Sequence, residues 1–347
     1  MTVPARLALG TCALGRAIDA RGVPLDGQPR LKGRVVDVAL RSPLPNERAA
    51  IVEPLWTGIR AIDALLTFGR GARIGIFGPP GCGKTTLLEW IVQGCSADAV
   101  VVALVGERGR EAQQWLERRN ERTTIICATS DRSAAERVAA GEVAFVHAAA
   151  LRERGLHVLV VLDSLARTAA ALREVAVARG ESTGRGGYPP SVFAHLARML
   201  EVAGGLSSGS ITVVATVLSD GDERDPVSDA ARSLLDGHVA LLSSLAHAGR
   251  FPAIDVVRSA SRTMAFVAAE DQIAHAQRVR RALSLLKESE DTRALGITPQ
   301  GAELHAAVAM ERSIERFLCQ SCGREAARET LAQLAAISEE LQARGDC

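Results

Sequence analysis

Between residues 51 and about 265 the chain alternates short, unbroken apolar runs with longer stretches in which apolar residues return every three or four positions. The apolar runs are RIGIF (73–77), AVVVALV (99–105), TIICA (124–128), HVLVVLD (157–163) and ITVVATVL (211–218). Runs this rich in β-branched residues, with no polar alternation, predict strands of a parallel sheet covered on both faces. Segments such as GREAQQWLERR, SAAERVAAGEVAFVHAAALRERG and SVFAHLARMLEVAG carry the helical period and supply the crossovers that parallel strands need. From residue 269 the pattern turns helical and polar to the end, with a break at GITPQG, and predicts a small helical domain. Residues 1–50 hold turn signals at ARGVPLDG and RSPLPN and only short apolar runs, so they read as a lead-in and not as a domain. The division expected is therefore 1–50, an α/β core at 51–268, and a C-terminal helical domain at 269–347.

The most specific chemistry sits between the first strand and the helix after it. Residues 78–86 read GPPGCGKTT, which fits the phosphate-binding pattern G-x-x-x-x-G-K-[ST] in the strand-to-helix setting that the pattern requires. Gly78, Gly81 and Gly83 permit positive φ and close approach, so the loop, with Cys82, can turn successive backbone N–H groups toward phosphate oxygens at a helix N-terminus. Lys84 is placed to reach the β and γ phosphates, and Thr85, followed by Thr86, to offer a hydroxyl to Mg2+. Pro79 and Pro80 lie early in the loop and stiffen it. ATP and Mg2+ are the ligands this implies.

The remaining composition narrows the partners. With 41 basic and 40 acidic residues the chain has no polyanion-attracting field, which argues against nucleic acid and in favour of proteins. No stretch approaches eighteen consecutive apolar residues, and the first residues lack the layout of a secretory signal, so a cytoplasmic location is expected. Seven cysteines over 347 residues fit reduced thiols better than a disulfide framework. Cys319 and Cys322 form a C-x-x-C without a second pair, which reads as incidental spacing.

Two acids fall where parallel sheets hold their ligands. Asp163 closes the run HVLVVLD, so its carboxylate should emerge at the carboxyl edge of the sheet as the acid that holds magnesium through water. Glu107, just past AVVVALV, is placed by the same edge and is the candidate for orienting the attacking water. Arg108 is suited to phosphate or a neighbouring subunit, while Arg110 and Glu111 read as surface ion-pairing residues at the start of a helix.

In order, GERGRE, DSLARTAAALRE, GYPPSVFAHLARMLEVAG, GSITVVATVLSDGDERDPVSDAARSLLDGH and FPAIDVVRSASR resemble the ATPases of type III secretion and flagellar protein export, relatives of the catalytic subunits of rotary ATP synthases. The resemblance covers most of 51–265 and continues more weakly through LGRAIDARGVPLDG and residues 280–320. It implies a RecA-like P-loop NTPase core with a mainly parallel sheet and a C-terminal helical domain. Carried over position by position, it implies that Glu107 activates water, Asp163 is the strand-end acid, and Arg167 and Arg108 are polar supports. Phe251, beside Pro252, falls at the aromatic that stacks on adenine, a contact made by the ring face. From spacing alone Phe251 would pass as an ordinary core aromatic. Arg262 falls at the arginine finger that a neighbouring subunit inserts toward the γ phosphate.

The same resemblance implies a homo-hexamer, with GDERDPVSD at 221–229 facing the ring interior. It also implies partnership with stator and central stalk proteins, an export gate and chaperone–substrate complexes, at the inner membrane only through partner proteins. The fifty turn-rich residues before the core are expected to be too few for the N-terminal β-barrel usual in the family, and Gly186 stands where a second arginine is usual. The phosphate loop also resembles that of the AAA class, which GERGRE and FPAIDVVRSASR do not fit. The alternatives are a rotary ATP synthase-like or terminator-helicase-like ring, and a nucleotide-binding subunit without turnover.

Overall fold

The computed structural model of the chain describes residues 4–219, 225–296 and 300–345. Two compact units interleave along the sequence: the first takes Met1–Ile51, Arg70–Phe77 and Ala97–Asp236, the second Val52–Gly69, Gly78–Ser96 and Gly237–Cys347. Part of GDERDPVSD, at 221–224, and the ITP of GITPQG lie outside the described residues.

All five apolar runs are strands: Arg73–Gly78, Ala99–Val105, Thr123–Ala128, His157–Asp163 and Ser210–Leu218. In the first unit they lie in the order Arg73–Gly78, Ser210–Leu218, His157–Asp163, Ala99–Val105, Thr123–Ala128, with Ala17–Asp19 at the far edge. From Ser210–Leu218 to that edge every pairing is parallel. Each residue of Ala99–Val105 and His157–Asp163 is buried, as unbroken apolar runs require when helices cover both faces. Helix Ala134–Arg152 starts at a reciprocal cap, in which Ser133 Oγ accepts the Glu136 N–H and the Glu136 carboxylate accepts the Ser133 N–H. Val143, Ala144 and Phe145 of this helix belong to the same core as the sheet.

The lead-in is part of this unit. Arg6–Ala8 pairs antiparallel with Val35–Asp37, and Ala17–Asp19 adds a parallel strand beside Thr123–Ala128. Strands of three residues are too short for periodicity to register them, which is why the sequence pattern shows only turns here. A buried chain of hydrogen bonds fixes the segment. The Gly10 N–H donates to His147 Nδ1 at 3.1 Å, so His147 carries its proton on Nε2, which faces Thr124 Oγ1 at 3.0 Å. Thr124 Oγ1 in turn donates to Ala13 O at 2.7 Å.

Burial holds the His147 pKa down at about 3, from an ordinary value of 6.5. The unfolded chain therefore takes up this proton below pH 6.5 while the folded chain does not. The stability present above that pH is lost as pH falls, by about 2 kcal/mol at pH 5. A urea midpoint that drops between pH 7 and 5, and drops less in His147→Gln, is the expected result. An equal drop in the variant would assign the effect to other groups.

The second unit contains the antiparallel pair Gly237–Leu241 and Ile254–Ser261. These strands mix buried and partly exposed positions, including His238 and Arg258, so no unbroken apolar run marks them. Helices Glu270–Glu288, Ala302–Leu318 and Ala327–Gly345 form the helical part expected from residue 269 onward. Gln272 joins the first of these to helix Arg60–Leu65 by donating to Asp63 O and Thr67 Oγ1. Three backbone segments meet with no side chain between them. A Cβ on Gly94 would lie 1.8 Å from Gly323 O and 2.8 Å from Thr57 O. Gly94→Ala is therefore expected to lower stability by about 1–3 kcal/mol, readable as a fall in Tm. An unchanged Tm would show that the segments part easily.

Candidate active site

In the second unit the turn after strand Arg73–Gly78 wraps back on itself before helix Lys84–Gly94 begins. Gly81 and Gly83 have φ of 77° and 90°, the left-handed region in which L side chains are strained. A Cβ at Gly78 would lie 2.7 Å from Cys82 Sγ and 3.0 Å from Leu241 Cβ, so only glycine fits the start of the loop. Lys84, Thr85 and Thr86 fill the first turn of the helix, where backbone N–H groups lack intrahelical acceptors and the helix dipole favours an anion. The Lys84 ammonium donates to Gly78 O at 2.8 Å and Pro79 O at 2.6 Å, so it lies folded over the loop. The loop, the lysine and the hydroxyl of Thr85 are the donor set that a nucleotide triphosphate with a hard divalent cation needs.

Phe251 borders the same loop. Its ring carbons lie 3.9–4.0 Å from the position of a Cβ on Gly83, and 43% of the residue is exposed, while Pro252 is buried. The ring is therefore available for a planar ligand. Arg262 follows strand Ile254–Ser261 on a turn anchored from both sides: Ser261 Oγ donates to Thr67 O at 2.8 Å, and Thr263 Oγ1 accepts the Gly69 N–H at 3.0 Å. Its side chain is exposed and makes no hydrogen bond or ion pair among the described residues.

In the first unit the parallel register sets Leu104 opposite Asp163, so Glu107, three residues on, emerges beside Asp163 at the carboxyl edge. Both acids are 5% exposed. Asp163 accepts from Thr216 Oγ1 at 2.6 Å, and Glu107 forms an ion pair with Arg167 on the first turns of helix Leu165–Ala178. The helix cap positions that arginine, since Ser164 Oγ accepts the Arg167 N–H. Burial, then a hydrogen bond shared with Glu111, raise the Glu107 carboxyl to about 7 against the pull of Arg167. The shared bond holds Glu111 below its ordinary value. Glu107 is thus poised near neutrality, as a group that handles a proton or orients water must be.

Glu107, Asp163 and Arg167 form one cluster, and Arg108 stands outside it. Arg108 caps helix Gly109–Arg118 with its side chain in solvent, and Arg110 is likewise exposed. Glu111 and Thr216 are the residues that sequence reasoning missed. Glu111 is half-buried and shares a hydrogen bond with Glu107 besides the attraction of Arg167 and Arg108, which is more than the surface ion pair expected of it. Thr216 was marked only by being a hydroxyl near the end of an otherwise apolar run.

Comparison with known proteins places the chain in a family. Residues 58–261 match the ATP synthase alpha/beta family, nucleotide-binding domain, and residues 268–336 match the T3SS EscN ATPase C-terminal domain. The chain is 40% identical to a type 3 secretion system ATPase of Xanthomonas euvesicatoria, over 97% of this chain and 78% of that one. It is 39% identical to the flagellum-specific ATP synthase of Bacillus subtilis, over 96% and 78%. Among solved structures, the assembled ATPase EscN in complex with its central stalk EscO, from the enteropathogenic E. coli type III secretion system, superimposes with a TM-score of 0.89. That match has 38% identity and covers 96% of this chain and 83% of EscN. With the α/β fold, the phosphate loop and the helical C-terminal part all matched, the chain belongs to the family of type III secretion and flagellar export ATPases, and its activity is ATP hydrolysis.

Proposed function

We propose that the chain acts as one subunit of a homo-hexameric ring that hydrolyses magnesium ATP between subunits and drives protein export through a type III secretion apparatus. The observation that carries this reading is Arg262, an exposed cation without a partner among the described residues, held on an anchored turn. A guanidinium so presented suits the γ phosphate of a neighbouring subunit's nucleotide. Within the subunit, Gly78, Gly81, Cys82, Gly83 and Thr86 contribute the loop, Lys84 exchanges carbonyl oxygens for phosphate oxygens, and Phe251 with Pro252 receives the base. The Thr85 hydroxyl is the magnesium-holding group proposed for the second unit, and Asp163, acting through water, the one proposed for the first; the ion would neutralise charge on the phosphates. Glu107 orients the attacking water, with Arg167 holding its carboxylate and Arg108 facing outward toward a neighbour.

The EscN structure with its stalk supports a central stalk protein as a partner. Stator proteins, the export gate and chaperone–substrate complexes complete the proposed set, with release and unfolding of cargo as the coupled work. No helix among the described residues is long and apolar enough to cross a membrane. Attachment at the cytoplasmic face of the inner membrane is accordingly assigned to partners, and no nucleic acid is involved. The test is steady-state ATP hydrolysis against protein concentration, with oligomer mass recorded in parallel and Lys84→Ala as the blank. Turnover rising cooperatively as a hexamer appears is expected. Nucleotide binding without turnover at every concentration would overturn the reading in favour of a non-catalytic subunit.

A further inference from the structure

The C-x-x-C pair is not absorbed by the ATPase reading, and its surroundings give it a role. Cys319 leaves helix Ala302–Leu318 in extended conformation, and the chain then bends across Ser321–Gly323. Cys319 is half-buried, and Cys322 is exposed, the one exposed thiol among the described cysteines. Between them, Gln320 ties the bend to the nucleotide-binding side of the second unit. Its N–H donates to Phe251 O at 2.9 Å, its Oε1 accepts the Arg60 N–H at 2.8 Å, and its Nε2 donates to Gly58 O at 2.9 Å. Nε2 also donates to Cys322 O, which folds the bend back toward Cys319. On the other side the bend cannot move inward: a Cβ on Gly323 would lie 2.5 Å from both Cβ and O of Trp90, on helix Lys84–Gly94.

We propose that Cys319 and Cys322 are an oxidative modification site, a dithiol that a small disulfide such as oxidised glutathione converts to an internal disulfide, weakening nucleotide binding at Phe251. The exposed Cys322 thiolate attacks one sulfur of the small disulfide, forming a mixed disulfide and expelling one small thiolate. Cys319, as thiolate, then displaces the second, closing the Cys319–Cys322 bond. The two protons lost by the cysteines go to the two released thiols, so the protein is oxidised by two electrons and the small disulfide reduced by two. A disulfide holds its Cα atoms about 4.4–6.8 Å apart and its Cβ atoms about 3.5–4.5 Å apart, so closure draws the half-buried Cys319 and the exposed Cys322 together across Gln320 and Ser321. With Gly323 blocked by Trp90, the movement is taken up where Gln320 holds Phe251 and Gly58. The affinity effect rests on the assignment of Phe251 to the nucleotide base.

The test uses the whole chain, reduced or treated with oxidised glutathione. Alkylation and peptide mass spectrometry read the thiols, and a fluorescent ADP analogue reads affinity. The expected result is a peptide lacking two hydrogens and closed between Cys319 and Cys322. Affinity should be about tenfold weaker, the order set by losing one or two hydrogen bonds, and restored by dithiothreitol. Cys319→Ser and Cys322→Ser should each retain affinity under the same treatment. A reaction that stops at glutathione on Cys322, a peptide with both thiols intact, or closure with unchanged affinity would each overturn the proposal. Phe251→Ala in reduced protein separates the two readings. If it binds the analogue as tightly as the parent, the base assignment fails and takes the affinity effect with it, whereas the mass readout judges the dithiol chemistry independently.

Discussion

Replacing Glu107 by glutamine is expected to lower steady-state ATP hydrolysis by about 10²–10⁴-fold while nucleotide affinity stays nearly unchanged. The carboxylate stands at the carboxyl edge of the sheet, 5% exposed, between Arg167 on one side and Glu111 on the other. An amide keeps the shape and some of the hydrogen bonding but cannot take a proton from water or polarise it with a full negative charge. Because burial and Glu111 raise the Glu107 carboxyl to about 7, the ionised form grows as pH rises through neutrality. Turnover in the parent should therefore climb between about pH 6 and 8, and the glutamine variant should lose that limb. Arg167 opposes the upward shift, so Arg167→Ala should move the limb to higher pH. Hydrolysis by Glu107→Gln at the parental rate would remove Glu107 from the chemistry, and a limb that persists in the variant would assign it to another group.

The five buried strands were legible because each is a short run dominated by apolar residues, most of them rich in β-branched side chains, as expected when both faces of a sheet are covered. The phosphate loop was equally plain, since its glycines answer backbone demands that the structure displays at Gly81 and Gly83. Elements without a period were hidden. Ala17–Asp19 is a three-residue strand whose place is fixed by pairing with Thr123–Ala128 and by hydrogen bonds around His147, none of which is local in sequence. The pair Gly237–Leu241 and Ile254–Ser261 mixes polar and apolar positions and has no apolar run. The acids followed from the edge argument, but their environment did not. That Glu107 meets Glu111 depends on how helix Gly109–Arg118 leaves the sheet, and that Asp163 meets Thr216 depends on strand order. Phe251 and Arg262 carried no signal of their own, because an aromatic after a turn and an arginine after a strand are ordinary. Family resemblance singled them out, and geometry then showed the ring beside Gly83 and the guanidinium in solvent.

Arg262→Ala is expected to reduce turnover by about 10³–10⁵-fold, the range for an arginine that stabilises charge on a transferring phosphoryl group. Affinity of the isolated subunit for nucleotide should hardly change, because the side chain is exposed and makes no hydrogen bond or ion pair among the described residues of its own chain. A loss of turnover alone would also follow from a damaged fold, so the informative experiment mixes two inactive variants. Arg262→Ala subunits keep an intact phosphate loop, and Lys84→Ala subunits keep the arginine. In a ring with head-to-tail contacts, an Arg262→Ala subunit served by a Lys84→Ala neighbour has one complete site. Random equimolar mixing places about one quarter of the interfaces in that arrangement. Recovery of about that fraction of parental activity on mixing is the expected result for sites that turn over independently. If the mixture stays as inactive as its components while the rings demonstrably exchange subunits, the arginine acts on its own subunit's nucleotide or not at all. The shared-site ring would then lose the observation it rests on.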